Sequence, residues 1–181
     1  MHIPSQQIYK LITCCQPVAE HTINVAFLVS AIIQEIPHME LYSDEYRALP
    51  YAALLHDIAK VNWRAEWFYL PRYKIPEREW VIMQMHPQFS AQIARELGAD
   101  DLICSLIENH HNKIDTIADS ILRAADIYAA CREERPYRRT ALTPEESLSE
   151  VRKSVPIVVS DALIRVLNKD NKEVMRNVSN Q

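Results

Sequence analysis

Glycine is nearly absent from this sequence: Gly98 is the one glycine among 181 residues, where average usage of about 7% would supply about a dozen. Glycine adopts positive φ in tight turns and lets a backbone approach phosphate groups closely. Its shortage therefore argues against hairpin-rich sandwiches and barrels, and against the glycine-rich loops that bind dinucleotides or nucleoside triphosphates. A helical protein does not need those glycines, so we expect an all-α fold.

A strong excess of positive charge is also absent. The net charge of −4 and the pI near 6.0 are not the footprint of a protein that binds a nucleic acid polymer or an acidic membrane. Small anionic ligands stay open, because a local site can be positive. No signal peptide is evident, and the longest uncharged stretch, residues 21–34, is too short and too polar to span a bilayer. We expect a cytoplasmic protein without a membrane or nucleic acid partner, and a regulatory protein partner stays open.

The cysteines lack the spacing of a zinc site. None of the four forms a CxxC pair, and their positions are Cys14, Cys15, Cys104 and Cys131. In a reducing compartment such cysteines are thiols. We therefore predict neither disulfides nor cysteine-bound zinc.

Apolar residues recur at three- and four-residue spacing along most of the chain, which is typical of amphipathic helices. The predicted helices cover residues 18–35, 44–60, 76–97, 100–109, 117–132, 143–155 and 160–168. We interpret residues 61–75 as a loop with one helical turn and the polar final dozen residues as a frayed end. Gly98 stands where the C-terminal cap of the third helix is expected. The sequence predicts one domain over residues 1–181, a compact bundle of about seven to nine helices.

Five histidines and two aspartates form the most informative pattern. Adjacent His56 and Asp57 follow the apolar run 51–55, where burying both without partners would cost several kcal/mol. A metal ion removes that cost, and histidine and carboxylate are ligands of manganese, iron and zinc. The candidate ligands are His21, His56, Asp57, His86, His110, His111 and Asp126. Because seven ligands exceed the usual coordination of one ion, we expect two divalent transition-metal ions.

Each of these residues taken alone has a simpler interpretation. A single buried histidine such as His21 or His86 is usually a hydrogen-bonded core residue. A buried aspartate such as Asp126 often pairs with an arginine, here Arg123 or Arg135. The ordered occurrence of all seven residues across four helices favours the metal site.

Residues 54–61, Leu-Leu-His-Asp-Ile-Ala-Lys-Val, resemble the motif of the HD superfamily of metal-dependent phosphohydrolases, which are all-helical enzymes that cleave phosphoester bonds. The sequence is more specifically similar to the HD-GYP branch, bacterial cyclic di-GMP phosphodiesterases. That similarity is carried by Lys60, by residues 80–87, by the His110-His111 pair, and by residues 125–130 leading into 135–138. It extends over about residues 18–150, with C-terminal helices over 143–168.

The sequence also departs from the branch. The HHExxDGxGYP stretch is represented by residues 110–116, which keep both histidines and Asp115 but lose the glutamate and the Gly-Tyr-Pro. Ala59 stands where the family usually has glycine, and Pro17 where some members have a glutamate that binds a third metal. The resemblance therefore implies a two-metal site and leaves the substrate open, since the missing loop shapes the pocket.

The resemblance also implies roles for the candidate residues. It assigns one ion to His21, His56, Asp57 and Asp126, with Asp57 bridging, and the second to His86, His110 and His111. Iron or manganese is favoured, with zinc, nickel, cobalt and magnesium as alternatives. The two ions activate a bridging hydroxide for in-line attack on phosphorus. Lys60 stabilises charge on the phosphate, and its alternative is a solvated lysine at a helix end.

The function expected from this resemblance is hydrolysis of a phosphodiester of a small nucleotide, with cyclic di-GMP as the first candidate. Arg135 and Arg138 are candidate substrate contacts, or else parts of a solvated charged loop. The aromatic residues between Trp63 and Tyr73 stack a purine or form a satellite core. The alternatives are a phosphomonoesterase or nucleotidase for another nucleotide, and a catalytically weak, metal-bound signalling module.

Overall fold

Helices account for the regular structure of the chain. The computed structural model describes residues 15–36, 43–112, 115–134 and 140–179, with side chains up to Lys169. In these ranges the α-helices are α1 (Gln16–Glu35), α2 (Ser43–Leu55), α3 (Glu77–Gln84), α4 (His86–Glu96), α5 (Asp101–Asn109), α6 (Ile117–Arg132), α7 (Pro144–Arg152) and α8 (Ile157–Ser179). Short 3₁₀ helices cover Ile58–Asn62, Ala65–Phe68 and Arg72–Lys74. The described residues contain no strand, so the all-α prediction is confirmed.

The bundle is organised around α1, which packs against α2, α6 and α8, while α5 packs against α2 and α4. Its apolar face, Val25, Val29 and Ile32, is fully buried, as the three- and four-residue spacing predicts. Each such side chain contributes about 1.5–3 kcal/mol when removed from water. None of the helices in the described ranges is long and apolar enough to cross a membrane.

The prediction of one helix over residues 44–60 is wrong over its last five residues. The α-helix ends at Leu55, and Asp57, with φ −111° and ψ 11°, leads into the 3₁₀ helix Ile58–Asn62. In a continued α-helix the Ala53 carbonyl would accept a hydrogen bond from the N–H of residue 57. It accepts instead from Nδ1 of His56, at 2.8 Å. The histidine side chain has replaced the backbone donor, and the helix ends there.

The prediction of one helix over residues 76–97 is also wrong, because α3 and α4 are separated by a break at Met85, with φ −85° and ψ 6°. Pro87 has no N–H, so the Met83 carbonyl lacks its usual donor. Nδ1 of His86 donates to that carbonyl at 2.8 Å. The same substitution of side chain for backbone therefore occurs at both breaks.

The predicted cap at Gly98 is confirmed. Its φ is +88°, and its N–H donates to the Arg95 carbonyl at 3.0 Å while Ala99 N–H donates to the Ala94 carbonyl at 2.9 Å. This pair of bonds is the Schellman motif. Asp100 then caps α5 by accepting from Ile103 N–H at 3.0 Å.

The C-terminal helices differ from the predicted bounds. α7 ends at Arg152 rather than near residue 155, and α8 begins at Ile157 and continues to Ser179, beyond the predicted end at residue 168. Pro156 explains the start, because its carbonyl accepts from the N–H groups of Val159 and Ser160 at 3.1 and 3.2 Å. No glycine or proline follows Pro156, so the backbone expected to fray is helical through residue 179.

Candidate metal centre

The predicted ligands lie together in the interior of the bundle, although they come from five separate places in the chain. His111 is the exposed member, with 47% of its side chain accessible. The buried members are His21 on α1, His56 and Asp57 after α2, His86 at the start of α4, His110 after α5, and Asp126 on α6. The helical packing thus assembles all seven residues.

Asp57 lies between two pairs of histidines. Its Oδ2 is 3.7 Å from Nε2 of His21 and 3.5 Å from Nε2 of His56. Its Oδ1 is 3.3 Å from Nε2 of His86 and 4.0 Å from Nε2 of His110. Each carboxylate oxygen therefore faces a different pair of imidazoles, which is the arrangement that a carboxylate bridging two ions requires.

Asp126 and His111 complete the two groups. Asp126 Oδ1 lies 3.0 Å from His21 Nε2 and 3.9 Å from His56 Nε2. His111 Nε2 lies 3.1 Å from His86 Nε2. Donor atoms fall within 4.8 Å of one another in two sets, one of His21, His56 and Asp57 and one of His86, His110 and His111. These sets contain six of the seven candidate ligands, without Asp126, and the assignment of ligands to two ions that the resemblance implies stays a prediction.

Three of the histidines are oriented by the helix ends on which they stand. In each, Nδ1 donates to the carbonyl three residues earlier, in the pairs His56 to Ala53 (2.8 Å), His86 to Met83 (2.8 Å) and His110 to Ile107 (2.6 Å). The last carbonyls of a helix have no intrahelical partner. A proton fixed on Nδ1 leaves the lone pair on Nε2, and all three Nε2 atoms point toward Asp57.

His21 is oriented by a residue that the sequence analysis missed. Nδ1 of His21 lies 2.7 Å from Oε1 of Glu133, which is not among the residues singled out from the sequence. The sequence spacing could have indicated this residue, because Glu133 lies seven residues after Asp126, which is two turns along the same helical face. Its carboxylate therefore reaches the same region of the bundle as Asp126.

Ser90 is a second residue that the sequence analysis missed. Its buried hydroxyl accepts a hydrogen bond from Ala59 N–H at 3.1 Å, which ties the turn after Asp57 to α4. Ser90 lies four residues after His86, on the same face of that helix. The spacing could have indicated it.

Several buried polar atoms at this centre have no hydrogen-bond partner. They are Nε2 of His56, Nε2 of His110 and Oδ1 of Asp57. An unsatisfied buried polar atom costs about 1–3 kcal/mol, and these three atoms converge on the two donor groups. Divalent cations would satisfy all three, so the residues present fit a metal centre.

The protonation state of four of the five histidines suits metal binding. Burial lowers the pKa of His86 to about 3, and lowers that of His110 and His111 to about 4. Burial also lowers the pKa of His56. Metal ligands must be deprotonated, and these imidazoles are neutral at pH 7.

The acidic groups are correspondingly ionised. Burial alone would raise the pKa of Asp57, but Lys60 and the neighbouring histidines outweigh it and hold that pKa well below its usual value. Lys60 Nζ donates to Asp57 Oδ2 at 2.5 Å, with 18% of its side chain exposed. Burial would likewise raise the pKa of Asp126, but the hydrogen bond from His21 holds it well below its usual value. For His21, burial would lower the pKa, yet the hydrogen bonds to Asp126 and Glu133 raise it to about 9. Unlike the other four histidines of the centre, His21 is therefore protonated at pH 7, and an ion that binds at Nε2 has to displace that proton.

A cleft of about 730 Å³ opens beside Asp57 and Lys60. Its lining includes the aromatic residues Trp63, Phe68 and Tyr69 and the acidic residues Glu20, Glu133 and Glu134. The Trp63 ring lies 6.0 Å from that of His86 and 5.5 Å from Lys60 Nζ. An aromatic surface and a cation therefore stand together next to the donor groups.

Of the arginines considered from the sequence, the structure describes Arg123. Arg123 donates to the Asn112 carbonyl and does not pair with Asp126, whose Oδ1 faces His21. Arg135 and Arg138 lie outside the described residues, so their predicted substrate contacts stay predictions.

The comparison with protein families covers this whole centre. The HD domain family matches residues 18–134, well over half of the chain. The chain belongs to the HD domain family. The matched range includes every candidate ligand from His21 to Asp126, and it confirms the resemblance to the HD superfamily of metal-dependent phosphohydrolases. The match is to the HD domain as a whole, so assignment to the HD-GYP branch stays a prediction.

A curated relative adds a second comparison. The chain is 26% identical over 192 aligned residues to a protein of Vibrio cholerae named 3'3'-cGAMP-specific phosphodiesterase 3. The alignment covers 93% of this chain and 40% of the relative, so the HD domain protein spans well under half of that protein's length. No solved structure matched the chain significantly.

Proposed function

We propose that this HD domain protein is a metal-dependent phosphodiesterase that hydrolyses a cyclic dinucleotide. The observation that carries the proposal is Asp57, whose two oxygens face two separate pairs of histidine Nε2 atoms. Buried donors without hydrogen-bond partners on both sides of it support two divalent ions rather than one. When bound, such ions supply Lewis acidity and an activated water for in-line attack on phosphorus.

The residues of the chain have distinct roles in this proposal. Asp57 would lie between the two metal positions as a shared ligand, and the histidines on either side of it would hold the ions. Lys60, which donates to Asp57 Oδ2 at 2.5 Å, also faces the cleft. Its ammonium group binds a phosphoryl oxygen and stabilises the charge that develops there. We propose iron or manganese as the native metals, because a set of imidazoles and carboxylates suits both ions.

The cleft supports a nucleotide as the substrate. Aromatic rings stack nucleobases favourably, and Tyr69, with 69% of its surface exposed, lines the cleft together with Trp63 and Phe68. The name of the Vibrio cholerae relative adds 3'3'-cGAMP to cyclic di-GMP as a substrate to test. Because the Gly-Tyr-Pro segment is missing from the sequence, a substrate screen has to decide between cyclic di-GMP and 3'3'-cGAMP.

The test is a substrate screen with the purified full chain, isolated anaerobically and analysed for its metals. We expect two ions per chain and turnover of cyclic di-GMP or 3'3'-cGAMP. A linear dinucleotide, a nucleoside monophosphate and a chromogenic phosphodiester serve as comparison substrates. Faster turnover of the monophosphate than of both cyclic dinucleotides would instead identify a nucleotidase.

The decisive variant is Asp57→Asn, which removes the bridging charge without changing the size of the side chain. We expect loss of activity of at least about a thousandfold, as for other catalytic groups that act as a unit. Asp44→Asn is the matched control, since the Asp44 side chain is 81% exposed and belongs neither to the donor groups nor to the lining of the cleft. Equal activity of the Asp57 variant and the wild type would overturn the proposal. A metal-replete wild type without turnover on any nucleotide would favour a signalling module.

A further inference from the structure

One histidine of the centre is held differently from the others. His56, His86 and His110 each donate from Nδ1 to a backbone carbonyl at an adjoining helix end. His21 lies inside α1, which continues to Glu35, so the carbonyls of the preceding turn already accept backbone N–H groups. An acceptor for Nδ1 of His21 has to come from another element.

Glu133 supplies that acceptor from the end of α6. Its Oε1 lies 2.7 Å from Nδ1 of His21, across a separation of 112 residues. The Glu133 side chain is 28% exposed and that of His21 is 6% exposed. Glu133 therefore lies between the buried imidazole and the cleft that it lines. With Nδ1 held there, Nε2 of His21 faces Asp126 at 3.0 Å and Asp57 at 3.7 Å.

We infer that Glu133 is a positioning residue that fixes the tautomer and ring orientation of His21 and thereby sets the affinity of the metal position between Asp57 and Asp126. The inference rests on the proposed metal centre and goes beyond it, because Glu133 would act through His21 rather than as a ligand. A carboxylate bonded to the outer nitrogen of a ligating histidine strengthens the imidazole as a ligand. Charge-assisted hydrogen bonds of this kind are about twice as strong as neutral ones.

The chain provides two graded variants and a matched control. Glu133→Gln keeps an oxygen acceptor but removes the charge, whereas Glu133→Ala removes the acceptor altogether. Glu134→Gln makes the same change of charge one residue later, and Glu134 lines the same cleft. A general effect of acidic charge near the centre would therefore appear equally in Glu134→Gln.

The experiment is titration of the metal-free full chain with Co²⁺ in competition with a chromogenic chelator, recorded together with the Co²⁺ visible spectrum. For the wild type we expect two binding steps. Loss of a residue that orients a metal ligand typically costs 10- to 100-fold in affinity. We expect one step to weaken about 10-fold in Glu133→Gln and about 100-fold in Glu133→Ala, with an altered spectrum for that step. The other step, and both steps of Glu134→Gln, should stay within about twofold of wild type.

The possible failures are distinct. If both Glu133 variants bind Co²⁺ as Glu134→Gln does, the inference is wrong and the proposed phosphodiesterase is unaffected. A lower thermal midpoint of the metal-free Glu133 variants with unchanged affinity at both steps also overturns it, because Glu133 would then be only structural. A wild type that binds no Co²⁺ overturns both the metal centre and the role of Glu133.

Discussion

At the scale of single residues, the centre depends on which ring nitrogen of each histidine carries the proton. A backbone carbonyl takes the Nδ1 proton of His56, His86 and His110, and burial keeps these rings neutral by lowering their pKa values. The Nε2 lone pairs of His56 and His110 have no hydrogen-bond partner and are available at pH 7, whereas Nε2 of His86 faces Nε2 of His111 at 3.1 Å. Preorganised donors of this kind do not have to be reoriented when an ion binds.

Lys60 provides a test of electrostatic stabilisation at the same scale. The variant Lys60→Met keeps most of the side-chain length and removes the ammonium group that donates to Asp57 Oδ2. Loss of a donor to developing charge typically lowers kcat by about 10²- to 10³-fold, and we expect a loss in that range. Steady-state kinetics with the best substrate of the screen measure it.

The metal content separates this role of Lys60 from a structural one. Two ions should remain bound to Lys60→Met, because Lys60 is not a ligand. Lys74→Met, a change at an exposed lysine, should leave kcat unchanged. A kcat of Lys60→Met within threefold of wild type would show that the ammonium group does not contribute to turnover.

At the scale of elements, the ends of helices build the centre. α2 and α5 each stop just before a candidate ligand, and α4 begins at one. At all three places an imidazole donates to the carbonyl that in a continued helix would face the backbone nitrogen of the next residue. After His86 that residue is Pro87, which has no N–H to donate. A helix continuing through these positions would leave those imidazoles without this bond, so the helix breaks and the ligand geometry have one cause.

Gly98 provides a test of a helix end without metal chemistry. Its φ of +88° costs a residue with a Cβ roughly 1–2 kcal/mol. Nothing lies within 4 Å of an added Cβ, so Gly98→Ala should lower the free energy of unfolding by about that backbone cost alone. Urea unfolding of the metal-free chain measures it.

Asparagine tolerates positive φ better than alanine does, so Gly98→Asn should be destabilised less than Gly98→Ala. Both variants should bind metal as the wild type does, because Gly98 is not part of the centre. A Gly98→Ala variant as stable as the wild type would contradict the role of the Schellman cap.

At the scale of the whole molecule, the centre links helices that are distant in sequence. Residues from α1, the segment after α2, α4, the segment after α5, and α6 converge on one pair of donor groups. In the unfolded chain these donors are dispersed, so metal binding stabilises the folded state selectively. That residues 1–181 form a single domain stays a prediction.

Removal of metal should therefore lower the thermal midpoint of unfolding. Ions at 100 times their dissociation constant stabilise a fold by about 2.7 kcal/mol for each site. We expect chelation to lower the midpoint by several degrees and added Mn²⁺ to restore it, as measured by differential scanning calorimetry. Asp57→Asn should show a smaller response to both treatments. Identical midpoints of the wild type with and without chelator would contradict a metal centre that spans the bundle.

The sequence predicted much of this organisation because the relevant signals are local. Apolar periodicity gave the bounds of α6, and the single glycine marked the end of α4. The breaks after Leu55 and at Met85 were not predicted, because the apolar pattern of a helix continues through both. After Leu55 a side-chain donor replaces a backbone donor at the Ala53 carbonyl, and at Met85 a side-chain donor serves the Met83 carbonyl, for which Pro87 has no N–H to donate.

The sequence by itself determined the ligand types, their order along the chain and the all-α class, since these follow from residue chemistry and periodicity. Only the tertiary structure decided which oxygen of Asp57 faces which histidines, and that Glu133 reaches His21 across 112 residues. Both depend on how the helices pack around α1, and contacts of that range are set by the burial of the whole core rather than by any local signal. The scarcity of glycine argued against other fold classes, whereas the packing of the helices brought the candidate ligands together.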